Sequence, residues 1–217
     1  PRAPFSSKEI FFRIEKGEGS KEIALNLEDQ GLIWWGSLFR AYVLISGISG
    51  KLQAGTYQLS PSMSTLTMAS KFGRGDIAKA RITIPEGFTA QQIDQKLQEL
   101  SGSDPDSLAE LKKYEGYLFP DTYEIPYGLA LEKVIAMMRD NFDKKTANLE
   151  ITPEIVIMAS LLEKELQTKE DKALAAGVLW KRLRIGMPLQ VDAYLWTYGN
   201  QGLPEKPISN PGLESIE

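Results

Sequence analysis

The chain has 217 residues, 42% of them hydrophobic and 25% charged, an ordinary globular composition that excludes a disordered chain and leaves room for one large domain or two small ones. Lys and Arg total 25 against 29 Asp and Glu, and the net charge of −4 lacks the electrostatic footprint of a nucleic-acid binder. The absence of His and Cys excludes His triads, thiol nucleophiles, Cys/His zinc sites, haem ligation through His or Cys, and disulfides, so any chemistry comes from carboxylates, Lys, Tyr, Ser, Thr, amides and Arg.

The first hundred residues repeat a spacing. Ile14-x-x-Gly17-x5-Ile23-x3-Leu27 matches Ile84-x-x-Gly87-x5-Ile93-x3-Leu97, and Leu59-x-x-Ser62-x5-Met68-x3-Phe72 is a looser copy. Each reads as a short strand, a turn and a helix, with strands over residues 11–14, 56–59 and 80–84 and with Ser20, Ser64 and Thr89 as helix N-caps. Duplication and convergence on a common unit both account for the repeat.

Residues 31–50 are the most apolar window, but Arg40 and several Gly and Ser interrupt it, so it does not read as a membrane span. Trp35, Leu38, Phe39, Tyr42 and Ile45 recur there at helical spacing and predict the inward face of a core helix. No window reads as a signal peptide, and the start at Pro1 reads as a soluble fragment whose anchor or export signal, if any, was removed. Gly73-Arg-Gly-Asp-Ile-Ala78 imitates a dinucleotide fingerprint, yet it follows a helix rather than a strand and is set aside.

Residues 114–128 are turn-rich and carry several aromatic rings among acids and prolines. They read either as a loop whose rings plug a core edge or as a sugar-binding wall, in which rings cover apolar sugar faces while acids and hydroxyls bond the rims. A helix is predicted over residues 129–148. In the next one Thr152 serves as N-cap, Pro153 as first residue, and the following two turns are apolar nearly all round, so it is expected to be buried.

Glu163 ends that buried run and shares a helical face with Val156, Ala159 and Ser160, whose two small side chains leave room for a ligand; Glu165 points the other way. One reading makes Glu163 a desolvated acid, and the other makes Glu-Lys-Glu the solvated last turn of a core helix. Another helix is expected over residues 171–184, ended by Gly186. Residues 189–196 read as a strand or extended segment presenting Gln190 and Asp192, and residues 202–212 as a stiff Pro/Gly loop presenting Ser209 and Asn210.

Four blocks in order, Glu115-Gly-Tyr-Leu-Phe-Pro-Asp-Thr-Tyr123, Ala159-Ser-Leu-Leu-Glu-Lys-Glu165, Gly186-Met-Pro-Leu-Gln-Val-Asp192 and Gly202-Leu-Pro…Pro207-Ile-Ser-Asn-Pro-Gly212, resemble the YceG-like endolytic murein transglycosylases. The Gly-x5-Ile units upstream resemble that family's LysM-like module. The resemblance implies an α+β protein in two parts, a LysM-like βα module over residues 1–78 and a YceG-like catalytic domain over residues 79–217, hinged near residues 77–80.

It implies a lyase that cuts the β-1,4 MurNAc–GlcNAc bond inside peptidoglycan glycan strands, leaves 1,6-anhydro-MurNAc ends, and terminates nascent strands. It also implies a single-pass anchor in the bacterial inner membrane outside this chain, action on the periplasmic side, and peptidoglycan synthases (penicillin-binding proteins) as partners. No cofactor, metal or nucleic acid is expected.

The family's catalytic glutamate corresponds to Glu163. Tyr117, Asp121, Ser160, Gln190, Asp192, Ser209 and Asn210 are the candidates for holding the sugar. Glycosidases normally use two carboxylates. Here one suffices, because the sugar's C6 hydroxyl closes onto C1, and no second Glu or Asp is placed opposite Glu163 by sequence.

The chain departs from the family pattern at three points. Val191 and Ala193 replace Thr and Pro of Leu-Gln-Thr-Asp-Pro; a longer stretch with Tyr-Asn-Thr-Tyr is reduced to Thr197-Tyr198; and the chain stops at Glu217 where relatives continue. The competing readings are a non-catalytic wall-binding or scaffold protein and an ordinary muramidase hydrolase.

Overall fold

A computed structural model describes residues 9–101 and 105–217 and has a mixed α+β fold. The chain divides into two compact units, Pro1–Ala80 with Ile125–Gly128, and Arg81–Glu124 with Leu129–Glu217.

In the first unit β1 (Ile10–Ile14) and β2 (Gly55–Leu59) pair antiparallel with Phe12 opposite Tyr57. Side chains alternate across a strand, so Phe12, Ile14, Tyr57 and Leu59 all face inward. They pack on α1 (Ser20–Asp29), α2 (Gly36–Ile45) and α3 (Thr65–Arg74), around Phe72, whose ring lies 4.7 Å from Tyr57 and 5.9 Å from Phe12. Ser64 caps α3 by accepting from Thr67 N, and Gly75 closes it in the left-handed region at φ 68°.

Of the predicted inner face of α2, Phe39 is buried and Tyr42 packs on the core, but the other three residues face out. Trp35, Leu38 and Ile45 are exposed and Tyr42 is half-buried, whereas Gly36, Phe39 and Val43 are buried. Gly36 sets this phase. A Cβ there would stand 3.0 Å from the Ala24 carbonyl of α1, and its N–H donates to Glu28 Oε2 at 3.0 Å, so only the face without a side chain can approach α1.

In the chain that follows, β3 (Lys79–Thr83) pairs with β4 (Thr122–Pro126), which lies within the stretch expected to be all loop. Between them run α4 (Ala90–Ser101) and α5 (Ser107–Lys112). Thr89 accepts from Gln92 N at the start of α4 as expected of a cap.

The expected helix over 129–148 is α6 (Leu131–Lys145), and α7 (Pro153–Glu165) begins at the predicted Thr152 cap, which accepts from Ile155 N. Every residue of α7 from Val156 to Leu162 is buried. One side of α7 meets Phe119, Phe142 and Ile216, and the other meets Leu179, Leu189 and Val191.

Helix α8 (Lys169–Arg184) starts two residues earlier than expected because Thr168 caps it, accepting from Asp171 N at 3.2 Å. Gly186, at φ 70°, ends it. Residues 189–196 form no strand: Gln190 N donates to Thr197 O and Val191 N to Thr197 Oγ1, folding the segment back on buried Thr197 with Gln190 at φ 54°. The short helices α9 (Trp196–Gly199) and α10 (Leu213–Ile216) complete the fold.

Candidate active site

Glu163 projects from the last turn of α7 with a side chain only 7% exposed. Its Oε1 accepts from Lys172 Nζ of α8 at 3.0 Å, and its Oε2 accepts from Gly212 N at 2.9 Å and Ser215 Oγ at 2.6 Å. The Lys172 side chain is 4% exposed, so this is a buried ion pair with both carboxylate oxygens engaged. Gly87, at φ 74°, passes close to the stem: a Cβ there would lie 3.4 Å from Glu163 Cγ.

The space expected beside Glu163 one turn back is filled. Ser160 Oγ donates to Ile157 O and accepts from Ile208 N, while Ser209 Oγ donates to Ser160 O. Both serines are fully buried. Their observed work is to clamp the 208–212 segment to α7, which in turn brings Gly212 to Glu163.

Asn210, also fully buried, ties three loops together. Its Oδ1 accepts from Gly116 N at 2.8 Å and Leu118 N at 3.0 Å, and its Nδ2 donates to Phe88 O at 3.0 Å and Glu115 Oε1 at 3.1 Å. Gly87 N and Phe88 O pair with the Asn210 backbone, at 2.9 Å each. Glu115 accepts from Ala90 N at the first residue of α4; burial raises its pKa, against the lowering effect of that bond and of Lys112, Lys164 and Asn210.

The other expected sugar contacts lie apart from this cluster. Tyr117 is half-buried with its ring edge-on to Phe142 at 5.3 Å, and burial with the nearby Glu154 pushes its hydroxyl up. Asp121 accepts from Asn141 Nδ2 and Thr122 N, bonds that hold its carboxyl below the usual range. Tyr123 is buried, donates to Phe119 O at 2.6 Å and is pushed up to about 12, first by desolvation. The rings of Phe119 and Tyr123 thus take the core-edge alternative.

Gln190 and Asp192 are exposed on the far side of α7, where Glu165 accepts from Ala193 N and Asp192 accepts from the Tyr198 hydroxyl.

Lys172 and Ser215, which hold Glu163, carry no sequence signal, and two further features lie outside the sequence expectations. Glu86, an exposed residue in the turn before Gly87, places its carboxyl against the α-carbon of Gly212, the residue whose N–H holds Glu163. Partial burial first, then the charge of Glu163, raise the Glu86 pKa, with Glu214 adding and Lys172 opposing. The repeated Ile84-x-x-Gly87 spacing was the available signal, since it marks a turn held in a fixed shape.

The second is a ledge. Tyr194 and Trp196 stack at 6.1 Å and 27°, each 37% exposed, beside a cavity of about 430 Å³ walled by Pro204, Glu205, Lys206, Pro207 and Ile208. Among the described residues no group of three or more acidic side chains is placed to hold a metal ion, and no helix is long and apolar enough to cross a membrane.

The model of the YceG-like family matches residues 12–195. The chain is 30% identical to the endolytic murein transglycosylase of Streptococcus pneumoniae strain D39, matching with 98% of its length and 52% of the relative's. It is 28% identical to the endolytic murein transglycosylase of Bacillus subtilis strain 168, where it covers 75% of the relative. A 2.6 Å crystal structure of a YceG-like protein from Listeria monocytogenes superposes with a TM-score of 0.51 at 28% identity, covering 98% of this chain and 90% of that one.

The chain spans about half the length of the pneumococcal relatives. The pneumococcal alignment runs over 288 positions, more than the whole chain contains, so that relative carries residues inside the matched region that this chain lacks. With a family model matching most of its length, the chain belongs to the YceG-like family.

Proposed function

We propose that this chain is the catalytic part of an endolytic lytic transglycosylase that cuts the β-1,4 bond between MurNAc and GlcNAc in peptidoglycan strands and leaves 1,6-anhydro-MurNAc ends. The observation that carries this reading is Glu163, fixed by three donors at the end of a buried helix in a chain whose relatives are named endolytic murein transglycosylases. A carboxyl group there protonates the glycosidic oxygen, the C1–O bond breaks, the C6 hydroxyl of the same MurNAc attacks C1, and its proton returns to the carboxylate. The tethered hydroxyl has an effective concentration orders of magnitude above a free reactant.

Around that centre, Ser160, Ser209 and Asn210 act as positioning residues. Gln190, Asp192 and the Tyr194–Trp196 ledge take sugar units away from the bond cut, the stacked rings covering an apolar sugar face. Tyr117 and Asp121 contribute from the 114–128 segment. The first unit is a LysM-like module that holds glycan, and the whole protein acts outside the cytoplasm on nascent strands beside peptidoglycan synthases, ending their elongation.

One observation favours the hydrolase as a second reading: Glu86 supplies a second carboxyl beside the first.

Glu163→Gln keeps the shape of the side chain and is expected to abolish release of glycan fragments from purified peptidoglycan while the circular dichroism spectrum shows the fold retained, with a lowered denaturation midpoint because Lys172 loses its counter-charge. Glu165→Gln, at an exposed carboxylate outside the cluster, is expected to stay within about threefold of the parent rate, since surface polar changes rarely exceed ~0.5 kcal/mol. Equal losses in the two variants, or an active Glu163→Gln protein, would remove Glu163 from the chemistry.

A further inference from the structure

We propose that Glu86 is the second catalytic carboxyl of this site, held beside Glu163 by the glycines at 87 and 212. The inference rests on the transglycosylase reading and divides between two residues the acid and base roles that Glu163 alone would fill in turn.

The geometry turns on two glycines. Gly212 donates its N–H to Glu163 Oε2, and its bare α-carbon receives the carboxyl of Glu86: a Cβ on Gly212 would fall 1.9 Å from Glu86 Oε1 and 2.1 Å from its Cδ. Gly87, next to Glu86, lies against the Glu163 stem in a left-handed conformation that a side chain would strain. The turn at 86–87 and the loop at 212 therefore hold the two carboxyl groups against one residue.

Their surroundings differ in kind. Glu163 is withdrawn from solvent, and both of its oxygens accept hydrogen bonds, one of them from the buried ammonium of Lys172. Glu86 is exposed, so its carboxyl can reach a bound strand. The charged groups facing it are Glu163 on α7, Lys172 on α8 and Glu214 on α10; burial and the two carboxylates raise its proton affinity, and Lys172 only partly opposes them.

Two adjacent carboxyls, one buried among donors and one open to solvent, are the usual arrangement for dividing acid and base roles. In the reaction the Glu86 proton goes to the leaving GlcNAc oxygen as C1–O breaks. The C6 oxygen bonds C1, and its proton goes to Glu163, so the pair again holds one proton.

The test is the pH dependence of anhydro-sugar release from peptidoglycan strands, followed by mass spectrometry with the full chain from pH 4 to 9. Glu86→Gln is expected to lower the rate at pH 7 at least tenfold and to move the alkaline limb of the profile to lower pH, with partial recovery in acid; Glu86→Asp restores part of the rate. Gly212 sits at φ −77°, so Gly212→Ala suits the backbone, and its methyl displaces the Glu86 carboxyl; it is expected to shift the limb in the same direction.

An unchanged rate in Glu86→Gln, or a lower rate with the parent profile, overturns the assignment and leaves Glu86 a structural side chain. Failure of the parent protein to release any anhydro sugar would instead defeat the functional reading on which the assignment rests.

Discussion

Lys172 and Glu163 are both withdrawn from solvent, so neither can be removed without leaving the other's charge in a poorly solvated place. Glu163 would keep Gly212 N and Ser215 Oγ after loss of the ammonium, which softens the cost. Lys172→Met, which fills the same volume without the charge, is therefore expected to destabilise the fold by about 3 kcal/mol, the low end for breaking a buried pair. Activity should fall as well, because the carboxylate loses the donor that fixes Oε1. A denaturation midpoint equal to the parent's would mean the pair contributes orientation without stability.

At the scale of elements, the loop at 208–212 is what makes a site of the end of α7. Asn210 is its anchor, and its amide bonds distinguish donor from acceptor at every contact. Asn210→Asp exchanges the donor for an oxygen that would face both the Phe88 carbonyl and the Glu115 carboxylate. The expected cost is on the order of 3 kcal/mol, from buried groups left without partners and from the new repulsion. Asn210→Ala should cost no more than this, and chemical denaturation of both variants checks the order.

Sequence legibility also divides at this scale. Helix α7 is legible because cap, proline and apolar run agree, and α3 because Ser64 caps it and Met68 and Phe72 recur at helical spacing. In helix α2 the expected inward Phe39 is buried and Tyr42 packs on the core, but Trp35, Leu38 and Ile45 face out, because the close approach of Gly36 to Ala24 turns the helix so that Gly36, Phe39 and Val43 lie inward. Residues 189–196 alternate like a strand, yet Thr197 collects their backbone donors.

Across the whole molecule, the features invisible in sequence are those that join distant segments. Asn210 reaches Gly116 across 94 residues, and Glu86 meets Gly212 from the opposite end of the unit's chain order; no local period encodes either contact. The family pattern marked Glu163, but which groups surround it depended on loops closing over α7. That closure filled the expected open space, supplied Gly212 N and Ser215 Oγ to Glu163 and brought in a second carboxyl.

Because two carboxyls now stand together, the choice between lyase and hydrolase rests on the fate of C1. Digestion of peptidoglycan in water enriched in oxygen-18, followed by mass analysis of the released strands, reads that directly. Anhydro-MurNAc ends that carry no label are expected, because the C6 hydroxyl of the same sugar closes the ring. Reducing MurNAc ends carrying oxygen-18 would show instead that water attacks C1 and that Glu86 or Glu163 serves a hydrolase.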